Sequence, residues 1–128
     1  LTGALAINAT GNTLANLLTG NAAANVLNGG AGIDTLIGGL GNDTYYVDVA
    51  GDVVSETSTL ATEIDTVYAG ATWTLGANLE RLTLTGALAI NGTGNGDAKR
   101  VLLMADEIEP ALGSTQPRQS MRGGFKLV

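Results

Sequence analysis

The sequence predicts an all-β protein, a β-solenoid built from nonapeptide repeats. Two observations predict it: glycine and Asx recur every nine residues between residues 11 and 46, and the first twelve residues return, with one change, 83 positions later. A period of nine matches neither the roughly 3.6-residue turn of a helix nor the alternation of a long strand. It fits a short turn followed by a three-residue strand, and such units make a core only by stacking on their neighbours.

Four consecutive nonads share one register. They read GNTLANLLT, GNAAANVLN, GGAGIDTLI and GGLGNDTYY, and they begin at Gly11, Gly20, Gly29 and Gly38. The sixth position always carries an Asx side chain: Asn16, Asn25, Asp34 and Asp43. The eighth position always carries a large apolar group: Leu18, Leu27, Leu36 and Tyr45. Because the middle residue of a three-residue strand faces inward, we expect the eighth positions to form an apolar row inside the roll.

A longer repeat overlies the nonads. The segment LTGALAINATGN at residues 1–12 returns as LTGALAINGTGN at residues 84–95, where only Ala9 and Gly92 differ. Between the copies lie strand-like pieces rich in β-branched residues, namely TYYVDV, DVVSE, IDTVYA, ATWTL and ERLTLTG. We expect these pieces to continue the solenoid or to pack on it as a separate β-layer.

The register of the repeat is lost after residue 95, and five of the six basic residues lie beyond that point. We therefore divide the chain into nonapeptide repeats over 1–52, a β-rich linking segment with the start of a second 83-residue repeat over 53–95, and an atypical tail over 96–128. The tail is expected to be irregular or to contain a short helix at AKRVLLMADEIE, ended by Pro110. It is either an export signal or the product of a reading-frame slip. Since the chain begins at Leu1, we interpret it as a fragment of a longer protein.

Composition excludes several classes of function. The net charge of −6 and the pI near 4.2 argue against nucleic acid and anionic membrane surfaces as partners. The chain has no cysteine and no histidine, which removes thiolate metal sites, the commonest zinc ligand and the commonest general base. No apolar run is long enough to span a bilayer, and no catalytic motif is present. We expect this segment not to be an enzyme.

The two complete glycine-rich nonads have the chemistry of a calcium site. Glycines allow positive φ and leave the carbonyl oxygens of the turn unshielded, so several can point at one centre. Asp34 and Asp43 each add a charged oxygen. Six to eight hard oxygen ligands in a flexible arrangement suit Ca²⁺, whereas Mg²⁺ demands a tighter octahedron. An ordinary Asx turn is the structural alternative, and the four-fold repetition of the pattern favours the ion.

Residues 29–37 and 38–46 meet the pattern G-G-x-G-x-D-x-U-x, with U a large apolar residue, at every specified position. In this the sequence resembles the RTX (repeats-in-toxin, hemolysin-type calcium-binding) family. The resemblance implies that the solenoid is a right-handed parallel β-roll that folds on Ca²⁺ binding. It also implies export by type I secretion to the cell surface or the extracellular medium. It implies as partners calcium ions, adjacent repeats or domains of the same longer chain, and the secretion machinery.

With two nonads in each coil, turns that stack on one side come from units two apart. A cation between stacked turns would therefore use Asn16 with Asp34, and Asp34 with Asp52, on one side, and Asn25 with Asp43 on the other. The pair Asp34 and Asp52 supplies two carboxylates and ranks first; the Asn16 level ranks last. The candidate metal-binding residues are Asn16, Asn25, Gly29, Gly30, Gly32, Asp34, Gly38, Gly39, Gly41, Asp43 and Asp52.

Other features have plainer interpretations. Asn16 and Asn25 are as well explained by satisfying amides of their turns as by binding an ion. Four further acidic residues are expected to be mostly solvated charges or edge protection, with Asp65 a possible cap of another cation site: Asp48, Glu56, Glu63 and Asp65. Two other functions stay open beside the secreted β-roll. One is a repetitive surface adhesin or matrix spacer, and the other is an accessory domain of a secreted hydrolase.

Overall fold

Every regular element is a β-strand in the computed structural model, which describes residues 1–86, 89–96 and 100–103. The eleven strands are β1 Ala9–Thr10, β2 Leu17–Thr19, β3 Val26–Asn28, β4 Thr35–Ile37, β5 Thr44–Val47, β6 Val53–Ser55, β7 Thr66–Ala69, β8 Trp73–Thr74, β9 Arg81–Leu84, β10 Gly92–Thr93 and β11 Arg100–Leu103. All of their pairings are parallel. The predicted parallel β-solenoid is confirmed.

Each coil of the solenoid contributes one strand to each of two faces. One face is a six-stranded sheet in the order β1-β3-β5-β7-β9-β11. The other face is formed by the three-stranded sheet β2-β4-β6 and the two-stranded sheet β8-β10. Residues 53–84 therefore continue the coils instead of forming a separate layer, which decides between the two arrangements considered above.

The coils differ in length. The residues aligned at the centre of the six-stranded sheet are Ala9, Leu27, Tyr45, Val67, Leu82 and Val101. Their numbers differ by 18, 18, 22, 15 and 19 in turn. Only the first two coils in this sheet follow the spacing of two nonads, and the third coil is extended by four residues.

The core is a column of apolar side chains between the two faces. Leu27, Leu36 and Tyr45 are completely buried, as predicted for eighth positions, and Leu18 is partly buried because it lies in a terminal coil. Beyond the nonads, Val67, Leu79, Leu82, Leu84 and Trp73 continue the same column. Tyr46 and Tyr68 stack on the outer face, with ring centroids 5.0 Å apart.

The C-terminal residues that the structure describes differ from expectation. Arg100–Leu103 forms strand β11, which pairs with β9, so the predicted helix is wrong at these residues. The reason is that strand β9 offers hydrogen-bond partners to the backbone of these residues. In this position Val101 is also buried against the core, with 4% of its surface exposed. The rest of the predicted helix, including Pro110, and the tail over 104–128 lie outside the described residues. The division at residues 52 and 95 stays a prediction.

Within the described ranges there is no helix of the length and apolarity that a membrane crossing requires.

Truncation of an eighth-position side chain should weaken the fold strongly. Leu36→Ala leaves a cavity in a fully buried column, and we expect a loss of about 2–5 kcal/mol in the free energy of unfolding. Leu17→Ala is the matched control, since Leu17 lies on the paired strand β2 with 65% of its surface exposed, and it should cost under about 0.5 kcal/mol. Urea unfolding at saturating calcium measures both. Equal losses would contradict the assignment of the core.

Candidate metal centre

The two complete nonads form turns that only glycine accommodates easily. Gly30 and Gly32 have φ of +83° and +104°, and Gly39 and Gly41 have φ of +101° each. A Cβ at Gly32 would lie 2.9 Å from the carbonyl oxygen of Leu14, one coil earlier. A Cβ at Gly41 would lie 2.9 Å from that of Ala23. The turns therefore stack with backbone carbonyl groups against glycine, as a site lined by main-chain oxygens requires.

The first glycine of each nonad makes room for the sixth residue. A Cβ at Gly29 would overlap Asp34 Oδ2, and one at Gly38 would overlap Asp43 Oδ2. Each Asp side chain thus folds back over the first glycine of its own turn. Its carboxylate is held inside the roll, and Asp34 and Asp43 are each 1% exposed.

A ladder of hydrogen bonds links the sixth positions of successive coils. On one side, the main-chain N–H of Asn16 donates to Asp34 Oδ1 and that of Asp34 donates to Asp52 Oδ1, each at 2.8 Å. We call this set, Asn16, Asp34 and Asp52, the first ladder. These three residues lie 18 positions apart in the sequence, and the structure brings them together as that spacing predicts.

The second ladder lies on the opposite side and consists of Asn25, Asp43, Asp65 and Glu80. The N–H of Asn25 donates to Asp43 Oδ1 at 2.8 Å, and the N–H of Asp43 donates to Asp65 Oδ1 at 2.7 Å. The N–H of Asp65 donates to Glu80 Oε2 at 2.9 Å. This ladder continues two residues beyond the predicted pair Asn25 and Asp43.

One oxygen of each central aspartate has no hydrogen-bond partner. Asp34 Oδ2 and Asp43 Oδ2 are buried and unpartnered among the described residues. Glu63 Oε1 is in the same condition, while Glu63 Oε2 accepts from Gly41 N–H at 2.8 Å. A buried carboxylate oxygen without a partner is costly, so these atoms require a cation or a proton.

Carboxylates of the second ladder lie close to a further buried acid. Asp43, Glu56 and Asp65 can each offer an oxygen such that all three lie within 4.8 Å of one another. The Tyr45 hydroxyl donates to Glu56 Oε2 at 2.6 Å. The pKa of Asp43 and of Asp65 is raised to about 7. Burial is the main cause and the Glu56 charge adds to it, while the main-chain N–H that donates to each carboxylate acts in the opposite direction. Burial and the Glu56 contact also raise the pKa of Tyr45, so its hydroxyl stays protonated.

Residues 10–54 match the family model of the RTX calcium-binding nonapeptide repeat in four copies. This segment consists of RTX repeats. Repeats of this family bind Ca²⁺, and the buried carboxylates and glycine-lined turns of this chain are compatible with that ion. No curated protein and no solved structure matches the chain.

The first two RTX repeats satisfy their turns with their own amides. Asn16 Oδ1 accepts from the N–H of Asn12, and Asn25 Oδ1 accepts from the N–H of Asn21, each at 2.8 Å. The side chains of Asn12 and Asn21 in turn accept from N–H groups two residues later. These turns are closed without an ion, and a ligand role for Asn16 and Asn25 stays a prediction.

Glu56 escaped the sequence interpretation as a functional candidate, and Asp65 entered it only as a possible cap of another cation site. Glu56 and Asp65 were expected to be mostly solvated, but they are 6% and 1% exposed, so that prediction is wrong for both. The assumed spacing of 18 residues did not pair Asp65 with Asp43, because the coil between them has 22 residues. Asp43 and Asp65 form a second stacked pair with two carboxylates. The signal that would have found it is the triplet Asp-Thr-apolar, which occurs at residues 34–36, 43–45 and 65–67.

A side chain at a positive-φ glycine should disturb the stacked turns. Gly41→Ala forces φ near +101° on an L-residue and places its Cβ against the Ala23 carbonyl, and we expect a loss of more than about 1 kcal/mol in unfolding free energy. Gly76→Ala is the control, because its added Cβ meets nothing closer than 3.9 Å. Urea denaturation in calcium compares them, and a fully stable Gly41→Ala protein would refute the turn geometry.

In EGTA, the stability of the fold should fall as the pH rises. The folded pKa of Asp43 and of Asp65, about 7, lies above the ordinary carboxyl pKa of 3.8 that these groups have in the unfolded chain. The folded state therefore binds more protons, and the free energy of unfolding decreases from about pH 4 to pH 7. Urea midpoints across this range measure the slope, and Asp43→Asn together with Asp65→Asn should flatten it. A slope of the opposite sign would show that other groups dominate.

Proposed function

We propose that this chain is a calcium-binding β-roll segment of a secreted bacterial RTX protein that folds on Ca²⁺ binding outside the cell. The observation that carries the proposal is the pair of buried, unpartnered oxygens Asp34 Oδ2 and Asp43 Oδ2 inside glycine-lined turns. Two anionic oxygens at such positions are explained by a cation that the chain itself does not supply. The RTX match over residues 10–54 supports Ca²⁺ as that cation.

The proposed ligands group into the two ladders. On the first ladder, Asp34 and Asp52 supply carboxylates, and main-chain oxygens of the turn over 29–32 complete the set. The Asp52 side chain is engaged through Oδ1 by Asp34 N–H and through Oδ2 by Asp48 N–H at 3.1 Å, which positions it for this role. On the second ladder, Asp43 and the turn over 38–41 play the same parts. The glycines of both turns are those predicted as part of the sites: Gly29, Gly30, Gly32, Gly38, Gly39 and Gly41.

The energetics favour folding after export. An extracellular module that binds with a dissociation constant near 0.1 mM gains about 1.8 kcal/mol per site at roughly 2 mM calcium. At the roughly micromolar concentration of cytosol the gain is close to zero. Two or three such sites decide whether a marginally stable segment is ordered, and this supports passage through a type I exporter before folding.

The segment is proposed to have a structural and not a catalytic role. Its buried carboxylates lie inside turns, where a cation explains both the acids and the glycines, and the sequence has no histidine or cysteine to act as a base or nucleophile. A second candidate is a surface adhesin or matrix spacer, favoured by the near-identical return of residues 1–12 at 84–95. In that case the length of the array carries the function. A role beside a secreted hydrolase would place the active site in another domain.

Calcium titration tests the proposal. We expect β-type circular dichroism to increase from EGTA to saturating calcium, and calorimetry to give fewer bound ions for Asp34→Ala and for Asp43→Ala. Leu17→Ala is the control, since Leu17 is 65% exposed on strand β2, and this change should leave the number of ions unchanged. Identical spectra in EGTA and calcium, with no binding heat, would sink the proposal.

A further inference from the structure

Glu56 occupies a place where the two preceding coils carry glycine. Gly20, Gly38 and Glu56 follow one another at intervals of 18 residues on one side of the roll. At Gly38 a Cβ would overlap both the Tyr45 hydroxyl and Asp43 Oδ2, so these two oxygens flank the same small space. The Glu56 side chain enters this region from the next coil, where it accepts from Tyr45 at 2.6 Å and from Ser58 N–H at 2.9 Å.

We propose that Asp43, Glu56 and Asp65 form an internal cation centre of three carboxylates, separate in kind from the glycine turns, with the Tyr45 hydroxyl at its edge. It would hold a hard cation of the size of Ca²⁺. The inference rests on the proposed function in requiring a folded roll and in sharing Asp43 with the second-ladder site, while Glu56 and Asp65 are ligands of this centre alone. Its ligands are side chains from three segments of the chain, whereas the turn sites depend on main-chain oxygens.

Burial and an unpartnered atom both point to a ligand at this place. The three acids are 1%, 6% and 1% exposed, and their oxygens lie within 4.8 Å of one another. Asp43 uses Oδ1 for the ladder, and its Oδ2 is buried, unpartnered among the described residues and adjacent to the Tyr45 hydroxyl. Three carboxylates in such a small buried volume repel one another unless protons neutralise them or a cation lies between them.

The spacing of the three oxygens is compatible with a calcium ion. Calcium ligands lie at about 2.3–2.6 Å, so two oxygens on opposite sides of one ion are separated by about 4.8 Å. The oxygens of this cluster fall within that span. Magnesium demands a near-ideal octahedron and usually keeps several waters, so it suits a buried group of three carboxylates less well than Ca²⁺ does. Three carboxylates also match the charge of a trivalent lanthanide, which makes Tb³⁺ a direct probe beside Ca²⁺.

Terbium luminescence on tyrosine excitation tests the centre in the intact chain. The wild-type protein should show sensitised emission that Ca²⁺ displaces. Glu56→Gln keeps the shape of the side chain and its contact with Tyr45, and it should lose one ion or weaken one site by about tenfold or more. Tyr45→Phe should retain the number of ions and lose much of the sensitised emission. Asp34→Asn, on the first ladder, should leave the sensitised emission largely in place.

The outcomes separate this inference from the calcium-binding function. If Glu56→Gln binds as many ions as the wild type with the same affinity, the internal centre is refuted while the β-roll proposal stands. If the wild type binds neither Ca²⁺ nor Tb³⁺, both fail. Should Glu56→Gln not fold, Glu56→Gly restores the glycine found at residues 20 and 38. A folded Glu56→Gly protein that lacks one ion supports the centre, and one with the full number overturns it.

Discussion

The hydrogen bond from one coil to the next at the sixth position is the interaction on which the rest of the structure depends. In each case a main-chain N–H of one coil donates to the carboxylate of the residue one coil later, at 2.7 to 2.8 Å along Asn16, Asp34 and Asp52 and along Asn25, Asp43 and Asp65. The bond fixes the stacking distance and draws the acid inside. Because the acid then lies over the first residue of its own turn, that residue is glycine in every complete nonad.

This arrangement leaves an unbalanced charge that becomes more severe along the chain. At the first two turns the ladder residue is an Asn whose oxygen is used by its own turn. At the next turns it is an Asp whose second oxygen has no donor in the described part of the chain, as at Asp34 and Asp43. Under the proposed function, dependence on a cation is concentrated between residues 29 and 65, and the N-terminal coil is expected to order on hydrogen bonds and apolar contacts alone.

Most of the fold could be predicted from the sequence because each nonad places the turn glycines, the acid and the core residue at fixed positions. Sequence reasoning predicted the stacking of units two apart and the burial of Leu27, Leu36 and Tyr45. It lost the register at the coil of 22 residues, where the extra loop hides that Asp65 stacks on Asp43. It also treated Glu56 as a surface charge. The inward direction of this side chain follows from its alignment with the glycines of earlier coils, and the local sequence does not show that alignment. The local pattern at 100–103 favoured a helix, and pairing with β9 overrode it.

The 83-residue repeat shows that equal sequences do not occupy equal places in this solenoid. Ala9–Thr10 is β1, at the edge of the six-stranded face, whereas the corresponding Gly92–Thr93 is β10, on the opposite face beside β8. Strand β10 is the ninth strand after β1, and successive strands alternate between the two faces. Because nine is odd, the second copy lies on the face opposite the first. The single difference between the copies fits its place, since a Cβ at Gly92 would lie 3.0 Å from side-chain carbons of Leu82 and Leu84. A solenoid tolerates the placement of one sequence on either face because both faces offer a parallel strand edge and the same apolar column. Each unit needs only to supply one inward side chain and one turn.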